Sequence, residues 1–339
     1  MPRFDFDPPA QDPVGVLTST APVLRGARHV GLDAAALARA VPALGAAPPA
    51  AAEDSLHCAF LPPRRLLNYL LLLEALNFCF WDDEPRWRVA YRGGRHDGYW
   101  ALAAALHRAV REDAVPVWDA HWMADATRAR MAALLRGEGR EIPMLDQRTE
   151  AVREAGRVLL ARWRGQFAHA VEEARGNAPA LVHSIAAEFP SFRDEARWTD
   201  PASGALLTVR FLKRAQIFAS DLARLLPDHP LGQLDGLEHL SAFADYKVPQ
   251  VLRRLGILVL APPLAARVDR KEELPAGSAE EVEIRAATVW GCEWIVRALD
   301  AARRDGVRRT AATVDYRLWL AGQEKAGLPP YHRTRTIYY

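Results

Sequence analysis

The sequence is poor in cysteine, with only three in 339 residues. Cys58, Cys79 and Cys292 lie far apart and form no CxxC pair, which argues against a disulfide framework and against a zinc site. We therefore expect reduced and mostly buried thiols. We also predict that the protein binds no metal and no cofactor.

Long hydrophobic runs and an excess of one charge are also absent. The longest apolar run, at residues 70–73, is flanked by Asn68, Glu74 and Asn77 and is well short of the roughly 20 residues that a membrane span needs. The first residues are acidic and rich in proline, where a signal peptide is basic and then apolar. A net charge of +2, from 44 basic and 42 acidic residues, creates no overall field that attracts nucleic acid. We expect a soluble cytoplasmic protein with neither a membrane nor a direct nucleic-acid partner.

Signature motifs of four common enzyme classes are missing. The chain has no P-loop, no GxGxxG after a strand, no HExxH and no GxSxG. Nucleotide hydrolysis of the P-loop type, dinucleotide redox chemistry, zinc proteolysis and serine hydrolysis therefore lack their usual signals.

The apolar periodicity predicts a mainly α fold with one small β-hairpin near residues 86–98, around Gly93 and Gly94. The length exceeds that of one average domain, so we expect an N-terminal helical and linker segment at 1–55 and a helical domain at 56–339 with room for two lobes. The linker is expected in the Pro-Pro stretch 45–54, and a polar turn before the helix at 211–226. The predicted helices cover residues 31–44, 64–80, 99–112, 126–137, 154–174, 178–189, 211–226, a segment beginning near Pro249, and 280–304.

Asp245 stands in the stretch AFADYKVPQVLRRLG, between an apolar run and the start of an amphipathic helix. Pro249 is tolerated only near a helix N-terminus, so the helix starts at or just before it and Asp245 lies in the capping region. The helix dipole and the unpaired N–H groups there should keep the carboxylate ionised. Asp245 is therefore either a plain helix cap or a carboxylate that faces developing positive charge in a reaction.

A second candidate is the segment Phe78–Glu84, in which aromatic residues adjoin three carboxylates. Aromatic walls beside acids hold a flat heterocycle by stacking, while the acids accept its N–H groups. The alternative is a helix end packed by aromatic residues and followed by solvated acids.

A third candidate combines the stretch FPSFRDE, which ends at Glu195, with Lys213 and Arg214. The two cations can grip a phosphate group. The alternative is a surface ion pair with Asp194 or Asp221. A lone histidine such as His57, before the Pro62-Pro63 break, is more often structural than catalytic.

Taken together, several motifs in one order resemble the queuosine-salvage family of queuosine 5′-phosphate N-glycosylases. They run from about residue 57 to the end and read ALNFCFWDDEP, GYWALAAALHRA, FPSFRDEA, FLKRAQI, FADYKVPQVLRRLG, EVEIRA and TIYY. The resemblance implies hydrolysis of the N-glycosidic bond of queuosine 5′-monophosphate, which releases queuine for reuse in tRNA. It also implies a two-lobed fold similar to the helix-hairpin-helix DNA glycosylases, with Asp245 as the carboxylate that stabilises the cationic sugar. The absence of an LPGVG-like glycine loop speaks against duplex DNA binding.

The same resemblance assigns roles to further residues. Queuine is a 7-deazapurine, so help for its departure must come through an edge of the base other than N7. The implied walls for the base are Phe80, Trp81, Phe243 and Tyr246, with Asp82, Asp83 or Asp194 accepting N–H groups. The implied phosphate contacts are Lys213 with Arg214, or Arg193. His57 is expected among the residues that bind the substrate.

Two rival functions stay open. The first is a nucleic-acid base glycosylase on a similar fold, and the second is a non-enzymatic protein that binds queuine or queuosine. The near-neutral charge and the missing glycine loop disfavour the first. The sequence leaves the oligomeric state open.

Overall fold

Helices dominate the computed structural model, which describes residues 4–45, 55–302, 309–324 and 326–339. The prediction of a mainly α fold is confirmed. Within these ranges the helices are α1 (Val16–Gly26), α2 (Ala34–Leu44), α3 (Pro63–Ala75), α4 (Gly98–Arg111), α5 (Ala120–Ala124), α6 (Arg128–Leu134), α7 (Leu145–Trp163), α8 (Ala168–Glu173), α9 (Ala178–Glu188), α10 (Lys213–Leu225), α11 (Lys247–Arg254), α12 (Pro262–Asp269), α13 (Ala279–Ala301) and α14 (Ala311–Ala321).

The predicted hairpin is present as strands β2 (Arg88–Tyr91) and β3 (Gly94–Asp97), which pair in antiparallel register. Its two turn residues, Arg92 and Gly93, both have positive φ, at 49° and 75°. This is the backbone of a type I′ turn, whose twist matches that of the flanking strands.

Two further antiparallel pairs were not predicted. β4 (Glu195–Thr199) pairs with β5 (Leu206–Arg210) in the segment expected to be a polar turn. β1 (Val30–Leu32) pairs with the distant β6 (Leu258–Leu260). β1 and β6 have only three residues each, and strands this short show too little alternation to be recognised from the sequence.

Two predicted helices have different ends in the structure. The helix predicted at 154–174 is divided into α7 and α8, because Arg164 and Gly165 adopt left-handed φ values of 52° and 78°. Residues in this conformation end a helix, because they allow the backbone N–H groups that follow to bond its last carbonyl groups. The helix predicted at 64–80 ends at Ala75, and Cys79 further along has a φ of 38°.

The described residues form two compact units. The first unit consists of the described parts of Met1–Pro49, Asp194–Gln216 and Gly236–Thr336. The second consists of the described parts of Ala50–Arg193, Ile217–Asp235 and Ile337–Tyr339. The division into 1–55 and 56–339, the two lobes and the likeness to helix-hairpin-helix glycosylases stay predictions. The predicted linker at 45–54 lies, apart from Gly45, outside the described residues, as does the predicted helix end at 303–304.

Each unit has a helix at its centre. In the second unit, residues 66–75 of α3 are all buried, which confirms the prediction of a helix covered on several sides. In the first unit, α13 buries most of its length, including the charged Glu281, Glu283 and Arg285. The three cysteines are free and buried, as expected. None of the helices in the described ranges combines the length and the apolar character required to cross a membrane.

Candidate functional site

Asp245 caps the first turn of α11. Its Oδ1 accepts hydrogen bonds from the backbone N–H groups of Lys247 and Val248, both at 2.8 Å. The helix begins at Lys247, two residues before Pro249, and the intervening Tyr246 makes no side-chain cap. The prediction that Asp245 lies in the capping region is confirmed, and its side chain is buried, with 7% of the residue exposed.

Burial acts on this carboxyl group in the direction opposite to the helix start. The pKa of Asp245 is raised from its ordinary value, because burial penalises the charged form. The positive charge of Lys213, the two backbone N–H groups and the charge of Lys247 act against this rise without cancelling it. The capping interactions are therefore present, but the loss of water around the carboxyl outweighs them.

A second buried carboxyl, Asp315 of α14, lies in the same electrostatic environment. Its Oδ1 accepts the backbone N–H of Phe243 at 2.9 Å. Burial raises its pKa well above the ordinary value, and the negative charge of Asp245 raises it further; the hydrogen bond from Phe243 and the charge of Lys213 oppose the rise. Two neighbouring carboxyls do not both ionise easily, so this pair favours a state that retains one proton.

Lys213 at the start of α10 supplies the positive charge felt by both carboxyls. Lys213 and Arg214 are 5% and 1% exposed. They are therefore not the surface residues that the ion-pair alternative assumed. Asp194 instead accepts the backbone N–H of Lys213, at 3.1 Å from its Oδ2.

Asp194 is engaged mainly by Arg285 of α13. The two guanidinium Nη atoms lie 2.9 and 2.6 Å from the Asp194 oxygens, and the Nε of Arg285 donates to the carbonyl of Ala244 at 3.1 Å. Both side chains are almost fully buried. Asp194 thus binds protein groups through both oxygens, and its predicted contact with the substrate stays a prediction.

The aromatic residues Phe243 and Tyr246 flank Asp245 in the chain and are both buried. Tyr246 packs on Tyr331, with ring centroids 4.9 Å apart and planes inclined by 41°. Their proposed role as walls for a base is compatible with this apolar setting but stays a prediction.

His57, Phe80 and Trp81 belong to the second unit. His57 is buried, and its Nε2 lies 2.8 Å from the hydroxyl oxygen of Tyr99 in a hydrogen bond. Trp81 is buried, and Phe80 is half-buried with the guanidinium of Arg148 5.1 Å from its ring centre. This histidine is therefore held by a side-chain partner, as a substrate-binding or a structural histidine would be.

Asp83 and Arg193, also in the second unit, are exposed. The backbone N–H of Asp83 donates to the carboxylate of Asp82 at 2.9 Å. The guanidinium of Arg193 donates to the carbonyls of Ala186 and Ala187, at 3.2 and 3.0 Å, at the end of α9. Arg193 thus contributes a C-terminal helix cap, where a cation is favoured.

The structure therefore divides the predicted residues between its two units. The first unit brings together a charged cluster, which we define as Asp194, Lys213, Asp245, Arg285 and Asp315, with Arg214, Phe243 and Tyr246 also in that unit. The second unit contains His57, Phe80, Trp81, Asp83 and Arg193. In the described part of the chain, no three His, Cys, Asp or Glu side chains are grouped closely enough to hold a metal ion.

Sequence reasoning missed Asp315 and gave no role to Arg285. A signal for Asp315 was available, because it occupies a core position of α14 in line with Ala311, Ala312 and Leu318. Acidic residues are almost never fully buried unless they are paired with another group. Arg285 stands within the quoted EVEIRA motif and is likewise a charge on a buried helix face.

Comparison with known proteins gives consistent matches over most of the chain. A sequence model of the family described as queuosine salvage protein matches residues 58–339. A queuosine 5′-phosphate N-glycosylase/hydrolase from Sphaerobacter thermophilus is 49% identical over 331 residues, which cover 97% of this chain and 98% of that protein. Proteins with the same name from Mus musculus and Dictyostelium discoideum are 31% and 33% identical, over 80% of this chain and 82% and 78% of their own lengths.

Proposed function

Because the chain belongs to the queuosine salvage protein family, we propose that it hydrolyses the N-glycosidic bond of queuosine 5′-phosphate and releases queuine and ribose 5-phosphate. The observation that carries the mechanism is the placement of the buried Asp245 carboxyl beside a buried cation, Lys213, and a second buried acid, Asp315. In this combination one carboxyl, Asp245, can stabilise a positive charge, and the other, Asp315, can donate a proton.

Asp245 is the group for the positive charge. Cleavage of a ribosyl N-glycoside moves the bonding electron pair to the base and leaves positive charge at the anomeric carbon. A fixed carboxylate in a poorly hydrated site stabilises that charge more strongly than water does. Lys213 favours the ionised form of Asp245 that this role requires.

Asp315 is the group for the proton. Burial and the charge of Asp245 raise its pKa well above the ordinary value, so it retains a proton under conditions in which a solvated aspartate has lost it. In the proposed reaction Asp315 gives this proton to the departing base. Water then attacks the anomeric carbon and gives a proton to Asp245, and transfer of that proton to Asp315 restores the starting state.

The remaining assignments concern binding. We propose that the rings of Phe243 and Tyr246, which flank Asp245 in the chain, contact the base. The substrate contacts expected for His57, Phe80, Trp81 and Asp83 stay predictions. Of the three basic residues named for the phosphate, Arg193 is exposed and Arg214 is buried. Lys213 acts on the two carboxyls, so Arg214 is the better phosphate candidate in the first unit, with Arg193 as the alternative.

A product assay tests the function against its rivals. The protein is incubated separately with queuosine 5′-phosphate, queuosine and queuosine-containing tRNA, and free queuine is measured by liquid chromatography. Release of queuine and ribose 5-phosphate from the nucleotide supports the proposal. Release from intact tRNA alone supports a nucleic-acid glycosylase, and unchanged substrate supports a binding protein. We expect the activity to persist in EDTA, because side chains supply the charges in this mechanism.

We also propose that the protein acts in the cytoplasm, on small-molecule substrate rather than on a membrane or nucleic acid. Its three cysteines are free and buried, as is usual for proteins of a reducing compartment. Cell fractionation with an antibody against the full chain tests this location; recovery in the membrane pellet contradicts it.

A further inference from the structure

Arg285 makes an unusual set of contacts for a buried arginine. Its side chain, on α13, is 3% exposed and donates to the two carboxylate oxygens of Asp194 and to the carbonyl oxygen of Ala244. A second carboxylate, that of Glu281 one turn earlier on α13, lies 3.7 Å from Nη1. The guanidinium also lies over the ring of Phe211, 3.9 Å from its centre. A planar group with several donors in a fixed fork is suited to hold such acceptors in one geometry.

The contacts of Arg285 fall on the two backbone segments that carry the reacting charges. Ala244 immediately precedes Asp245, so the bond from Nε fixes the peptide next to the catalytic carboxyl. Asp194 accepts the N–H of Lys213, whose charge acts on that carboxyl. The ion pair of Arg285 and Asp194 thereby connects the backbone next to Asp245 with the backbone at Lys213.

Asp194 also shapes the entry to α10 through its own backbone. Its carbonyl accepts the N–H groups of Phe211 and Leu212, at 3.0 and 3.2 Å. Leu212 has a φ of 49°, an uncommon value for a residue other than glycine. A strained residue persists where its surroundings determine its conformation, and here the bonds to Asp194 do so.

We infer that Arg285 and Asp194 are positioning residues that set the separation of Asp245 from Lys213 for the hydrolytic step. This inference rests on the proposed function, and it treats neither residue as a contact of the substrate. A purely structural ion pair is a weaker account, since buried pairs add little net stability and do not require the additional bond to Ala244. Catalysis, by contrast, is sensitive to shifts of a reacting group by about 1 Å.

Arg285→Lys is the variant that tests the inference. Lysine keeps the positive charge but cannot make the two-pronged contact with Asp194 and the bond to Ala244 together. We expect kcat to fall about 10- to 100-fold, while KM changes by less than about threefold. Asp194→Asn, which keeps an oxygen acceptor and the side-chain shape, should lower kcat in the same way, and the two changes should be non-additive.

A matched control separates positioning from loss of stability. Ile284→Val, at the neighbouring buried position of α13, lowers the melting temperature without altering any contact of Arg285 described above. We expect its kcat and KM to equal those of the wild type at a temperature where all variants are folded. A kcat in Arg285→Lys equal to that of Ile284→Val at matched stability overturns the positioning role.

A second readout needs no substrate. The groups that act electrostatically around Asp245 are Lys213, Lys247, Asp315 and Cys292. If Lys213 moves away, the pKa of Asp245 should rise, which carboxyl-carbon NMR measures and which should also move the acidic limb of the kcat profile to higher pH. An unchanged Asp245 titration in folded Arg285→Lys and Asp194→Asn overturns the inference. Absence of hydrolysis by the wild type overturns the proposed function instead, so the two failures are distinguishable.

Discussion

Arg148 and Arg285 are both deeply buried arginines, one in each unit, and they are satisfied in different ways. Arg148, on α7, donates to four backbone carbonyls, those of Leu76, Phe78, Cys79 and Pro143. Its guanidinium lies over the ring of Phe78, 4.3 Å from the ring centre. The acceptors it faces are neutral groups of the backbone.

Arg285 instead faces the carboxylates of Asp194 and Glu281 as well as a carbonyl. Its partner Asp194 accepts the backbone N–H of Lys213, whose charge acts on Asp245 and Asp315. We therefore expect a displacement of Arg285 to change the field around these two carboxyls through Lys213. Arg148 holds the backbone after α3, where Phe80 and Trp81 follow, through hydrogen bonds to carbonyl groups. Two arginines that are equally buried are therefore expected to differ in what their loss changes. Loss of Arg148 should mainly lower the stability of the fold, and loss of Arg285 should mainly lower the turnover.

The largest expected effect is a loss of stability when Arg148 is replaced. Arg148→Met leaves up to four buried carbonyls without their donor, and each unsatisfied acceptor costs about 1–3 kcal/mol. We expect the free energy of unfolding, measured with urea, to fall by at least about 3 kcal/mol. Arg157→Met on the exposed side of the same helix should change it by less than about 1 kcal/mol. Equal losses in the two variants would contradict the role given to Arg148.

The next effect is on turnover and concerns Asp245. Asp245→Asn keeps an oxygen that accepts the N–H groups of Lys247 and Val248, so the fold and the substrate affinity should persist. The loss of a charge used in the transition state should lower single-turnover hydrolysis at least ~100-fold. Asp33→Asn is the control, because Asp33 also caps a helix in the same unit through its side chain. Near-normal turnover in Asp245→Asn removes this residue from the mechanism.

Much of this comparison depends on features that the sequence shows only in part. The start of α11 could be predicted because Pro249 restricts where a helix begins. The long buried α3 and the Gly93 turn could be predicted because their periodicity and turn chemistry are local. The contact between Arg285 and Asp194 joins residues 91 positions apart, and no local pattern encodes it.

The protonation state of the cluster was hidden from the sequence for a different reason. A helix start favours an ionised aspartate, and from this local rule we expected the Asp245 carboxylate to stay ionised. The pKa of Asp245 is raised because the folded chain buries the carboxyl, and Asp245 in turn raises the pKa of Asp315, which stands on a helix 70 residues later in the chain. Directions of pKa shifts at buried sites are tertiary properties, whereas helix ends are largely local ones.

A smaller effect on turnover is expected for Asp315. Asp315→Asn retains an oxygen for the N–H of Phe243 but has no proton to give to the base. We expect kcat to fall about 10- to 100-fold, toward the low end for a general acid because asparagine keeps an N–H donor. In the wild type kcat should also fall as pH rises through the raised pKa of Asp315, and this limb should vanish in the variant.

The control for Asp315 is another buried carboxyl of the first unit. Glu283 accepts the backbone N–H groups of Arg28 and His29, and burial raises its pKa as well. Glu283→Gln should leave the pH profile of kcat unchanged. Loss of the alkaline limb in both variants would show that the limb reports general electrostatics and not a proton donor.

The smallest expected effect is on the pH dependence of stability, and each unit supplies one histidine. Burial lowers the pKa of His332 to about 3, aided by the charge of Arg285. Burial also lowers the pKa of His107 to about 4, aided by Arg92 and Arg111. Below about pH 6.5 the unfolded chain binds protons that the folded imidazoles do not, so stability falls as pH decreases from about 6.5 towards these values.

Each histidine should contribute a slope of up to about 1.4 kcal/mol per pH unit. His332→Asn should therefore flatten the decline in urea-derived stability between about pH 6 and 4, relative to the wild type. Differences in slope are the quantity to compare, because the raised pKa values of Asp245, Asp315 and Glu283 act in the opposite direction. His121→Asn, at an exposed position, should leave the slope as it is. Equal slopes for wild type and His332→Asn would mean that His332 is not held neutral by burial beside Arg285.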